Sequence, residues 1–258
     1  MSAKSKIICI VNQKGGVGKT TTAINLSAHL TKYCHSILII DMDPQANSST
    51  WMGLDKTEVE KGIYNVLVEE LPVKEVIRQT QVDWLDIIPS SMALTGAEIE
   101  LVNMPNRETR LKSVVKELKN LYETIFIDCP PSLGLLTLNA LTAADSVLIP
   151  IQCEYLALEG VAHLMNTIKL LHANLNPKLE IEGILMTMYD GRLNLSDQVI
   201  DEIRKYFGDK VFKTVIPRNV RLAEAPSYEK PISLYDRFSK GSEAYASLAK
   251  EFIKRQQN

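Results

Sequence analysis

The sequence predicts a three-layer α/β fold: a mostly parallel twisted sheet with helices on both faces. Three observations predict it. Short β-branched apolar runs alternate with helical patterns along the chain, which implies parallel strands joined by crossover helices. Several of those runs are apolar throughout, as expected of strands covered on both faces. The first run is joined to the first helix by a glycine-rich turn, an arrangement that cradles phosphate.

The elements follow in order. Ile7–Val11 reads as the first strand and Thr20–Lys32 as the first helix. Ser36–Asp41 is a second apolar run, and it ends in carboxylates. Asn47 to Val82 is the least regular stretch; within it, Gly62–Leu67 and Val73–Ile77 read as short helices. Leu85–Pro89 is a strand, Arg107–Leu121 a helix, and Thr124–Asp128 a fourth strand that Pro130 and Pro131 stop. Leu135–Ala143 and Leu158–Asn174 are helical patterns on either side of the strand Ser146–Ile151. Ile181–Thr187 and Lys210–Val215 read as strands around the helix Ser196–Phe207. Gly241–Arg255 closes the pattern as a helix with the spacing of a core-packing face.

Size and composition bound the reading. At 258 residues, 45% hydrophobic and 23% charged, the chain can bury a large core and reads as one domain over residues 1–258. No apolar run approaches the roughly 18–20 residues of a membrane span. Met1 to Lys6 lacks a signal-peptide pattern, so a cytoplasmic location is expected. Cys9, Cys34, Cys129 and Cys153 form no C-x-x-C pair and read as reduced thiols. Net charge is −2, yet residues 191–258 hold 13 Lys/Arg against 9 Asp/Glu. A basic C-terminal quarter on an acidic body suits a local anionic partner.

The turn carries the chemistry. It reads Lys14-Gly15-Gly16-Val17-Gly18-Lys19-Thr20-Thr21. Glycines let backbone N–H groups crowd around phosphates, and the following helix aims its positive end at them. Lys19 supplies a cation for the outer phosphates, and the Thr20 hydroxyl can reach a magnesium ion. The general phosphate-loop pattern wants a glycine where Gln13 stands, and here a second lysine, Lys14, precedes paired glycines. Asp43 and Asp128 each follow a strand, where a carboxylate can hold magnesium or align a water molecule. Asp41 reads as a structural, loop-capping carboxylate.

This loop resembles the signature of the deviant Walker A ATPases, a P-loop NTPase family. The resemblance implies ATP and Mg2+ as cofactors. It gives Lys14, Lys19 and Asp43 catalytic roles, with Lys14 reaching the phosphates of a partner subunit across a homodimer. It places Gly15 to Thr21 around the nucleotide, Thr20, Asp43 and Asp128 at the metal, and Pro217, Arg218 and Asn219 at the adenine. The segments Pro131–Thr137, Ile149–Tyr155 and Arg221–Pro226 resemble the ParA/Soj branch of chromosome-partition ATPases, over nearly the whole chain. That branch implies DNA bound without sequence preference through Arg192 and Arg221. It also implies nucleoid association, a ParB-like centromere-binding partner that stimulates hydrolysis, and no stable membrane association. The first strand opens at about Ile7, which resembles the small chromosomal type without an extra N-terminal DNA-binding domain. A MinD-like membrane-associated division regulator is the alternative; an iron–sulfur protein resembling NifH is a more distant one.

Overall fold

The computed structural model describes residues 5–155 and 157–257. Seven strands form one sheet: β1 (Lys6–Ile10), β2 (Ile37–Asp41), β3 (Arg78–Gln79), β4 (Leu85–Ile88), β5 (Thr124–Asp128), β6 (Ser146–Gln152) and β7 (Glu180–Thr187). Their order is β3-β4-β2-β5-β1-β6-β7, parallel everywhere except at the β3–β4 edge. Among the described residues the helices are α1 (Lys19–Leu30), α2 (Asn47–Trp51), α3 (Ile63–Leu67), α4 (Leu94–Glu100), α5 (Arg110–Leu118) and α6 (Leu135–Ala143). They continue as α7 (Ala157–Asn174), α8 (Asn194–Phe207), α9 (Val220–Glu224), α10 (Ile232–Tyr235) and α11 (Lys240–Gln256).

Alternation along the central strands sorts the core into two layers. Ile7, Cys9 and Val11 face one side, together with Val115 of α5, Leu136 and Ala140 of α6 and Leu164 of α7. Ile8 and Ile10 face the other, together with Ala23 and Ile24 of α1 and Tyr245, Leu248 and Phe252 of α11. Both faces of β1 are therefore dry, which is why the run carries no polar residue after Lys6. Burying each such side chain is worth about 1.5–3 kcal/mol.

Helix α1 is braced from behind by the C-terminal segments. The Thr22 and Tyr245 hydroxyls meet at 3.2 Å, and the Ile232 N–H donates to Asn25 Oδ1 at 2.7 Å. The buried His29 ring contacts the Asn25 carbonyl at 2.8 Å and the Ser242 hydroxyl at 3.3 Å.

The structure corrects the seventh expected strand. Lys210–Val215 forms no ladder and touches β7 through an isolated bridge, Ile184 to Val211. The Phe212 N–H still reaches the Ile184 carbonyl at 2.8 Å. However, the Glu251 carboxylate takes the N–H groups of Lys213 and Thr214, both at 2.8 Å, and so diverts them from pairing. The elements not anticipated include the short helices α2, α4, α9 and α10, and the two-residue β3 that runs antiparallel to β4. Only Val73–Glu75 of the expected short helix is helical, as a single 3-10 turn. Most of the N-terminal stretch read for a leader lies outside the described residues.

Candidate phosphate-binding site

The order of the sheet sets the site. β1 lies between β5 and β6, while its crossover through α1 leads to β2 on the far side of β5. The loop after β1 therefore sits where the C-terminal ends of β1, β2 and β5 converge, the crevice in which open α/β sheets bind ligands.

Within that loop, Gly16 (φ 75°) and Gly18 (φ 89°) adopt left-handed conformations that a side chain would strain. Gly18 precedes α1 and leaves its first turn without a side-chain cap or an acidic residue. Uncapped N–H groups at the positive end of a helix are what an anion requires. Val17 is tied down by Thr187 at the end of β7, whose hydroxyl donates to the Val17 carbonyl at 2.9 Å. Asn12 pins the entry: its Nδ2 donates to the Pro150 carbonyl at 2.7 Å and its Oδ1 accepts from the Lys14 N–H at 3.0 Å.

The two lysines of the loop have different settings. Lys19 is buried and folds back to donate to the Lys14 carbonyl at 3.3 Å. Burial pushes its ammonium below the ordinary value, while Asp128 and Asp43 nearby pull it the other way. Lys14 is exposed at the rim, and its ammonium pairs with Glu154, just beyond β6.

Asp128 gathers two hydroxyls around its carboxylate. Its Oδ2 accepts from the Thr20 hydroxyl at 2.7 Å and from the Ser48 hydroxyl at 2.8 Å. Its Oδ1 is buried and has no hydrogen-bond partner. Burial drives the Asp128 carboxyl upward, against those two hydrogen bonds. An orphaned carboxylate oxygen beside a threonine hydroxyl is a donor set that suits a hydrated divalent cation.

Asp43 is buried nearby and accepts the Gln45 N–H on Oδ1 at 2.9 Å, which holds its turn. Asp41 is structural, as expected. Its Oδ2 accepts from the Ser49 N–H at 2.9 Å and the Ser49 hydroxyl at 2.7 Å, fastening α2 to β2. The segment expected to bound the adenine comes to the same end of the sheet: Tyr189, just past β7, bridges to Pro217, and the Arg218 N–H donates to the Tyr189 carbonyl at 2.9 Å. Asn219 caps α9, its Oδ1 accepting from the Leu222 N–H at 3.2 Å.

A protein family described as an AAA domain matches residues 5–181. The sporulation initiation inhibitor protein Soj of Bacillus subtilis (strain 168) is 57% identical over 246 residues, covering 95% of this chain and 97% of that one. The chromosome partitioning protein ParA of Myxococcus xanthus (strain DK1622) is 54% identical over 250 residues, covering 97% of this chain and 88% of its own. This chain belongs to the ParA/Soj family of chromosome-partitioning ATPases. A solved structure shares the fold. Cobyrinic acid a,c-diamide synthase of Mycobacterium smegmatis, with bound ATP analog and magnesium, superposes with a TM-score of 0.89 at 33% identity, covering 98% of this chain and 96% of that one.

For a ParA/Soj chain, the two expected DNA arginines lie close to the nucleotide segments. Arg192 is in the loop between β7 and α8, and Arg221 is on α9, two residues after Asn219. Among the described residues no helix is long and apolar enough to cross a membrane, and no group of three or more His, Cys, Asp or Glu side chains is placed to hold a metal ion. The four cysteines are buried free thiols, with the sulfurs of Cys9 and Cys129 3.2 Å apart.

Ser48, Asn12 and Thr187 are site residues that the sequence pattern does not single out, and Glu154 stands out only as part of the segment Ile149–Tyr155. Ser48 sits in the first turn of a short helix right after the Asp43 turn, which is a signal that could have placed it. Asn12 and Thr187 act through distant backbone carbonyls, and no local pattern announces that.

Proposed function

We propose that the chain is an ATP-dependent DNA-partition ATPase, hydrolysing ATP to ADP and phosphate. It works as a homodimer closed over two nucleotides, which binds DNA without sequence preference. A ParB-like partner stimulates hydrolysis and releases the DNA. The observation that carries this reading is the contrast between the two loop lysines. Lys19 is buried in its own cradle, whereas Lys14 stands at the rim, where a facing subunit's phosphates could meet it.

The residues present divide the work. The loop N–H groups and Lys19 bind and orient the phosphates of ATP. Thr20, Asp128 and Asp43 would hold Mg2+, which neutralises phosphate charge when bound. Asp43 orients the attacking water, and Pro217, Arg218 and Asn219 bound the adenine. Lys14 of the facing chain stabilises charge building at the β–γ bridge. Hydrolysis here is mostly positioning and charge stabilisation, so misplacing one cation is costly.

Two patches too weak to hold DNA singly are joined when the dimer closes, which makes ATP the switch. The test measures sedimentation and binding to long duplex DNA with Mg2+ and ADP, ATP or a poorly hydrolysed analogue. A dimer and tight, salt-sensitive DNA binding are expected with the analogue alone or with ATP. A chain that stays monomeric when saturated with the analogue ends the reading. The same assay with liposomes separates a membrane-bound regulator.

A further inference from the structure

Both arginines assigned to DNA are already neutralised within their own chain. Arg192 forks onto Asp190, with Nε to Oδ1 at 2.8 Å and Nη2 to Oδ2 at 2.6 Å. The backbone N–H of Arg192 adds a third contact to Asp190 Oδ1 at 3.1 Å. The two halves differ in freedom: the Arg192 side chain is 86% exposed and that of Asp190 15%. Asp190 is the fixed half, and the neighbouring guanidinium holds its carboxyl down to about 2.

Arg221 repeats the arrangement on a separate element. Its Nη1 meets Glu224 Oε2 at 2.9 Å and its Nε meets Asp236 Oδ2 at 3.4 Å. The Tyr235 hydroxyl donates to the same Glu224 oxygen at 3.0 Å and anchors it.

These pairs bear directly on phosphate recognition. A guanidinium grips phosphate through a pair of N–H groups, and in Arg192 one such edge is occupied by a carboxylate. A neutral pair also releases no counterions when DNA arrives, so it adds little to affinity. The pairs are solvent-exposed and hence weak enough to be displaced. One chain offers phosphate few such cations, whereas a dimer offers twice the number on one scaffold.

We propose that Asp190 and Glu224 restrain the DNA face: each occupies its arginine until several phosphates compete at once. This rests on DNA being the partner. The carboxylates then set how far DNA binding depends on dimer closure. The opposite role, orienting the arginines for phosphate, predicts weaker binding when the carboxylates are neutralised.

The experiment compares the full-length chain with an Asp190→Asn/Glu224→Gln double variant, binding long duplex DNA in Mg2+ and ADP across a salt series. The double variant is expected to bind roughly 1.5- to 25-fold tighter, about 1.5- to 5-fold for each exposed pair released, the low end being set by Asp236, which still lies 3.4 Å from Arg221 Nε. Its log–log salt slope steepens by about 0.9 for each phosphate newly engaged. Asp201→Asn removes an exposed α8 carboxylate that has no arginine partner among the described residues, and should gain nothing. Adding Arg192→Ala and Arg221→Ala to the double variant should erase the gain.

Unchanged or weaker binding, or an equal gain in the Asp201→Asn control, overturns the proposal. Glu224→Gln alone gives an independent reading should Asp190→Asn disturb its loop. Wild-type protein with the poorly hydrolysed ATP analogue is measured alongside. If it fails to bind DNA, the partner reading itself is wrong. If it binds while the double variant with ADP stays at the wild-type level, only the restraint is wrong.

Discussion

The buried centre of the site and its exposed rim use the same chemistry, cation against carboxylate, to opposite ends. At the centre, Lys19, Asp128 and Asp43 are shielded from water, and Thr20 and Ser48 fix the Asp128 carboxylate by hydrogen bonds. At the rim, Lys14, Arg192 and Arg221 are held by partners in exposed pairs. A buried charge that loses its partner is strongly destabilised, whereas an exposed pair contributes about 0–1 kcal/mol. The centre is thus built to stay, and the rim to be exchanged for another anion.

The sharpest way to break this contrast is at the centre. Asp128→Asn should lower the hydrolysis rate by roughly 10²–10³-fold, read in steady-state phosphate release at saturating ATP and Mg2+. A rate within a few-fold of wild type would remove Asp128 from the metal site. Lys14→Ala tests whether a rim residue can matter as much once a dimer forms. Partner-stimulated hydrolysis should fall by a similar factor, while the single chain keeps its affinity for nucleotide by equilibrium titration. Wild-type turnover would refute the role across subunits.

Behind α1 the contrast takes a pH-dependent form. Burial pushes the His29 imidazole below its ordinary 6.5, with Lys32 adding to this and the Asn25 carbonyl opposing it. The fold therefore prefers the neutral ring, flanked by Asn25, Ser242 and Tyr245. That contribution is complete above the unfolded value and is lost as pH falls below it. Thermal melts from pH 8 to 5 should show a decline that flattens in His29→Gln, and parallel curves would sink the assignment. The smallest effect is expected at Glu154→Gln. Freeing Lys14 from an exposed pair should change stability by no more than about 1 kcal/mol, measured by urea denaturation. A loss of several kcal/mol would mean that the rim is not exchangeable.

Local pattern made the framework legible. An unbroken apolar run, a glycine turn and an amphipathic stretch placed β1, the loop and α1 within a residue or two. A strand ending in an aspartate placed Asp128. Lys210–Val215 misled because its alternation suits a strand, and nothing local reveals that Glu251, far along the chain, captures its N–H groups. The partners of the candidate site groups were hidden for the same reason. Ser48 reaches Asp128 across 80 positions and Thr187 reaches Val17 across 170. Such pairings are fixed by the order of the strands, which no window of sequence contains.

The bracing of α1 by α10 and α11 has a consequence for biosynthesis. The nucleotide loop leaves the ribosome roughly two hundred residues ahead of Ile232, Tyr245 and Phe252, which supply the wall behind its helix. β1 likewise waits for β5 and β6 to flank it. A nascent chain therefore carries the whole loop sequence long before the fold that shapes it for a ligand is complete.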